Sequence, residues 1–132
     1  MKSRDTLVRL KRFQVDDKRR RASQIEAMIG EFARMAADLD REIAAEEARS
    51  GISDPGHFAY STYARAARSR RDNLQHSADE LRGQLEEAKR AFEEAQAELL
   101  KAQNLEGREK GAERPLEAMR PNESSVLRTA RL

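Results

Sequence analysis

Two long stretches of this chain are almost free of helix breakers, and both repeat every seven residues. Proline occurs only at Pro55, Pro115 and Pro121. Gly30 is the only glycine before Gly51, and Gly83 is the only one between Gly56 and Gly107. Between the stretches lies Ser50-Gly51-Ile52-Ser53-Asp54-Pro55-Gly56, a dense turn signal. In the first stretch Val8, Val15, Ala22, Ile29, Ala36 and Ile43 form one row, and Lys11, Lys18, Ile25, Phe32 and Leu39 form its companion. Met28 and Met35 widen that stripe. In the second stretch the rows are Ala67, Leu74, Leu81, Ala88, Ala95, Ala102 and Ala64, Arg71, Ala78, Leu85, Phe92, Leu99. Paired apolar rows at this spacing are the a and d seam of a coiled coil.

A short connection between two long helices dictates an antiparallel return. The expected architecture is therefore all-α: an antiparallel two-helix coiled-coil hairpin over residues 1–106. Its helices are expected at about 4–49 and 57–106, with a turn at 50–56 and a flexible tail at 107–132. Each helix of about 45 residues would be about 65 Å long. Asp54 is the expected cap of the second helix, with Pro55 at its first position and Ser61 or Thr62 as alternatives. Phe32, Leu39, Leu74 and Leu81 are the expected buried core.

Composition supports the same reading. Valine and isoleucine together supply only seven residues, which argues against a sheet. Alanine alone supplies 21, and much of the remainder is Arg, Glu, Leu and Gln, a helix-forming mixture.

Charge selects the direction of pairing. Residues 1–21 carry nine Lys/Arg against three Asp/Glu, and residues 22–49 carry three against seven. Residues 50–71 carry four against one, and residues 72–106 four against nine. Folding back at 50–56 sets each basic block beside an acidic one, whereas a parallel arrangement would set the two basic blocks together. Exposed pairs contribute only about 0–1 kcal/mol each. As a patterned set they select orientation.

No catalytic constellation emerges. The chain has no cysteine, hence no disulfide, thiolate metal site or cysteine nucleophile. His57 and His76 lie in different elements, and His76 beside Asp79 and Glu80 reads as an ordinary charged helix surface rather than a metal site. There is no glycine-rich phosphate loop and no Ser-His-carboxylate arrangement. We expect no enzyme activity, no cofactor and no metal. Arg19-Arg20-Arg21 and Arg68, Arg70, Arg71 would suit phosphates, but each run faces an acidic block and lacks interleaved aromatics. Nucleic acid is therefore not the expected partner. The opening Met1-Lys2-Ser3-Arg4-Asp5 is unlike a signal peptide, and no stretch approaches the roughly 20 apolar residues of a membrane span. A cytoplasmic location without membrane insertion is the expectation.

Two regions stand out from a generic coiled coil. Lys11 and Lys18 occupy seam positions near the N-terminus, leaving Leu7, Leu10 and Phe13 partly off the seam. Phe58, Tyr60 and Tyr63, three of six aromatics, cluster at the turn. Both regions are candidate partner surfaces, since aromatics are favoured anchors. The alternatives are a frayed end with snorkelling lysines and a simple aromatic plug.

The block Lys2-Ser3-Arg4-Asp5-Thr6-Leu7-Val8-Arg9-Leu10-Lys11-Arg12-Phe13-Gln14-Val15-Asp16-Asp17-Lys18-Arg19-Arg20 resembles the flagellar type III export stalk family, the FliJ family, in its alphaproteobacterial form. So do Gln24-Ile25-Glu26-Ala27-Met28-Ile29, Gly51-Ile52-Ser53-Asp54-Pro55, His57-Phe58-Ala59 and Arg70-Arg71-Asp72-Asn73-Leu74. The resemblance covers about residues 1–106 and does not extend into the tail. It implies an antiparallel two-helix coiled coil, similar to the central shaft of rotary ATPases. The implied partners are the hexameric flagellar export ATPase, the cytoplasmic part of the membrane export gate, and export chaperones. The implied location is cytoplasmic, or peripheral at the cytoplasmic face of the inner membrane. On that reading Arg9, Lys11, Arg12, Lys18, Arg19, Arg20, Leu99 and Leu100 are candidates for the ATPase contact. Phe58, Tyr60 and Tyr63 are candidates for docking the gate or another partner. The runner-up is a general coiled-coil chaperone or structural adaptor outside the flagellum.

Overall fold

A computed structural model describes residues 3–113. Most of the expected tail, residues 114–132, lies outside the described residues. Two helices, α1 over Ser3–Ser50 and α2 over Thr62–Glu113, account for nearly all of the chain described. Asp5 in the first turn of α1 and Arg49 in its last oppose the partial charges of the helix ends. Among the described residues two compact units are distinguished, residues 17–92 and the segments 3–16 and 93–113.

Within residues 17–92 the chain is an antiparallel helical hairpin, and its core consists of the heptad rows. Ile25, Leu81 and Ala88 form one buried cluster, with Ala22, Ile29, Phe32 and Leu85 packed against it. Leu39, Ile43 and Ala67 form a second, joined by Leu74. Ala36, Ala64 and Ala78 are also buried. Large side chains of α1 thus meet many alanines of α2, which lets large and small groups interlock. Of the four expected core residues, Leu39 and Leu81 are buried, while Phe32 and Leu74 are only half-buried. A two-stranded seam covers a side chain from one direction, so a long residue at its edge keeps one flank in water. Ile25, only 1% exposed, is instead the most completely enclosed large side chain.

Cross-helix charges follow the block pattern. Arg71, at a seam position, reaches Asp40 across the interface at 2.7 Å and its neighbour Asp72 at 3.0 Å. Those bonds raise its already high pKa. Arg68 meets Glu47 at 3.2 Å. In the unit of residues 3–16 and 93–113, Val8 and Val15 of α1 and Ala95 and Ala102 of α2 are buried. There Lys11 meets Glu98 at 3.6 Å.

The helix limits differ from expectation at both ends of α2. It begins at Thr62 rather than near residue 57, for reasons of capping described below. It also continues through Gly107 to Glu113, so residues 107–113 are helix and not tail. A helical glycine costs only about 1 kcal/mol against alanine, and no proline intervenes before Pro115.

Two stability predictions follow from the packing. Ile25→Ala should lower unfolding free energy by about 2–4 kcal/mol in urea titrations, since it opens a cavity in the enclosed seam. Gly83→Ala should raise it by about 0.5–1 kcal/mol, because a Cβ there meets nothing within 4 Å.

Candidate partner-binding surfaces

The turn between the helices is built by backbone chemistry at each step. Gly51 has φ 76°, a left-handed conformation that suits glycine, and its N–H donates to the Glu47 carbonyl at 2.8 Å. This closes α1. The Asp54 carboxylate accepts from the Gly56 N–H at 2.9 Å, so it braces a turn instead of capping a helix. The His57 N–H donates to the Asp54 carbonyl at 2.9 Å, and the Tyr60 N–H to the His57 carbonyl at 3.1 Å. Ser61 then accepts the Ala64 N–H on its Oγ at 3.1 Å, the bond of an N-cap. Its own hydroxyl donates to Glu46 of α1 at 2.8 Å. The cap of α2 is thereby tied to the end of α1.

Tyr60 is not part of an exposed patch. It is 5% exposed, and its hydroxyl donates to Glu47 at 2.5 Å while accepting from Arg68 Nε at 2.8 Å. The guanidiniums of Arg65 and Arg68 lie 5.3 and 5.9 Å from its ring centre. The bond from Tyr60, reinforced by Arg68, holds the Glu47 carboxyl below its ordinary pKa. Glu46 is lowered likewise by Arg49 and Ser61. Tyr63 is exposed but donates its hydroxyl to Glu42, which raises its own pKa. Of the three candidate tip aromatics, Phe58 alone is 96% exposed, with its ring stacked on His57 at 4.8 Å. Sequence proximity groups the three aromatics but does not reveal Glu46 and Glu47 as partners of the turn, or that Ser61, an expected alternative cap, and Arg68 join them. The available signal was a tyrosine at the turn with a carboxylate 13 residues before it at the end of α1 and an arginine eight residues after it in the first turns of α2.

In the unit of residues 3–16 and 93–113, Arg9 and Arg12 are exposed and Lys11 is half-buried in its pair with Glu98. Leu99 is half-buried and Leu100 exposed. Leu10 at 50% and Phe13 at 62% exposure add apolar surface among these cations. In the other unit Lys18, Arg19 and Arg20 are exposed. The Arg19 guanidinium lies 5.4 Å over the Phe92 ring, and Arg20 approaches Asp17 at 3.9 Å. Lys11 and Arg19 therefore also hold the two helices together, a role the sequence reading did not assign them.

Among the described residues no group of three His, Cys, Asp or Glu side chains is placed to hold a metal. His76 pairs with Glu80 at 3.4 Å. No helix among them is long and apolar enough to cross a membrane. No protein-family model, curated protein or solved structure matches this chain.

The tip network predicts an acid response. Both glutamates have folded pKa values below the ordinary 4.5, so their contribution is complete above that pH and lost as pH falls through the lowered values. Thermal midpoints measured from neutral pH down to about pH 3 should fall on the acid side, and Glu47→Gln should flatten part of that fall. Tyr60→Phe should lower the midpoint at neutral pH, whereas Phe58→Ser should leave it unchanged.

Proposed function

We propose that this chain is a non-enzymatic stalk and adaptor of the bacterial flagellar type III export apparatus. It binds the hexameric export ATPase and links it to the export gate and to export chaperones. The observation that carries this reading is the exposure of Leu10 and Phe13 inside a basic block, Arg9 to Arg20, whose sequence resembles that family. Apolar groups that the seam leaves uncovered, ringed by cations, suit a partner with apolar and acidic surface. The two-helix hairpin of residues 17–92 is consistent with a stalk. Phe58, held outward by a braced turn, supplies the contact for the gate or another partner. The chain acts at the cytoplasmic face of the inner membrane through these contacts.

Binding of the full chain to the purified export ATPase tests the reading. One chain should bind per ring and change the rate of ATP hydrolysis. No association with the ring would overturn it, and capture of unfolded clients without ring binding would support a general chaperone instead. The variant Arg12→Glu/Lys18→Glu should weaken ring binding, with a larger deficit at low salt because screening is weaker there. Lys11 is left intact in that variant because it pairs with Glu98.

A further inference from the structure

The turn that presents Phe58 contains a bond that only a neutral histidine can make. The Ala59 N–H donates to His57 Nδ1 at 2.9 Å. A neutral imidazole has one acceptor nitrogen, and the imidazolium has none. The same ring stacks on Phe58 with 20° between the planes. The His57 backbone is itself fixed in the turn, since its N–H donates to the Asp54 carbonyl and its carbonyl accepts from the Tyr60 N–H. The imidazole thus sits where ring, neighbouring aromatic and backbone meet.

We propose that His57 is a proton-sensitive switch controlling how Phe58 is displayed. Protonation puts a second N–H on Nδ1, directly against the Ala59 N–H. The bond is then replaced by repulsion between two donors. The ring turns away, and Phe58 loses the surface on which it is stacked.

The charged groups around the turn do not offset this. In the turn itself, the Asp54 carboxylate is bound to the Gly56 N–H. From the end of α1, Glu46 is held by Arg49 and Ser61, and Glu47 by Tyr60 and Arg68. From the start of α2, Arg65 and Arg68 lie against Tyr60. Among the described residues no carboxylate pairs with His57, and Glu46 and Glu47 are both held below ordinary carboxylate values. Those two stay ionised while a histidine changes charge, which ordinarily happens between about pH 5 and 8.

The gating stands on the turn's own geometry. Its consequence, that a partner gripping Phe58 binds better on the neutral side, rests on the proposed docking role of the tip. The test keeps the two apart. The isotope-labelled full chain is titrated by NMR from about pH 8 to about pH 5. The Ala59 amide and Phe58 ring resonances should move with the same midpoint as the His57 ring, the Ala59 proton shifting upfield as its acceptor is lost. In His57→Asn the side-chain oxygen takes the place of Nδ1, so the Ala59 amide should hold its position across the range. An Ala59 amide that stays still while His57 titrates would overturn the switch. So would an unchanged pH response in His57→Asn. Because no partner is present, neither result depends on what the tip binds.

Discussion

The hydroxyl of Tyr60, set between the Glu47 carboxylate and the Arg68 guanidinium, ties the end of one helix to the beginning of the next. A heptad seam alone does not fix register strongly, since sliding one helix by seven residues again places apolar rows opposite apolar rows. Tyr60 removes that freedom. Its ring is buried, its donor and acceptor functions are both used, and its partners come from α1 and α2. Ser61 adds a second tie, because the same hydroxyl group caps α2 and binds Glu46. With the start of α2 fixed, Arg71 falls opposite Asp40, and Leu81 falls beside Ile25.

The seam is uneven in chemistry. In the hairpin of residues 17–92, isoleucine, leucine and phenylalanine on α1 pack against both leucine and alanine on α2. In the unit of residues 3–16 and 93–113, the buried side chains are smaller, Val8 and Val15 with Ala95 and Ala102, and Lys11 takes a seam position with Glu98. Leu10, Phe13 and Leu100 there stay in water. Loosely covered apolar groups among cations are what the proposed ATPase contact requires.

The fold was legible because its determinants are periodic. Sevenfold rows, two breaker-free stretches joined by a short turn signal, and alternating charge blocks lead to the antiparallel hairpin without any knowledge of how the turn is built. The turn was harder because its determinants are local and compete. Asp54 followed by Pro55 has the form of a helix start, yet its carboxylate is taken by the Gly56 N–H, and the cap passes to Ser61. Tyr60 and Phe58 are both aromatics near a bend, and only the ion pair behind Tyr60 distinguishes a buried strut from an exposed tip. Gly107 carried the opposite lesson, since one glycine does not end a helix that has no proline after it for several residues. The double role of Lys11 and Arg19 was invisible in a count of charges, because it depends on which acidic or aromatic group the register brings alongside.

The central claim is that one chain folds back on itself in the register set at Tyr60. Distance measurement between spin labels tests it most directly, and the absence of native cysteine makes labelling clean. Ala33 and Arg82 line the same groove between α1 and α2, so cysteines placed there would carry the labels. With helix axes about 8–10 Å apart, the account predicts one short, narrow distance that is unchanged on dilution. A long distance, or one that disappears on dilution with unlabelled chain, would contradict it.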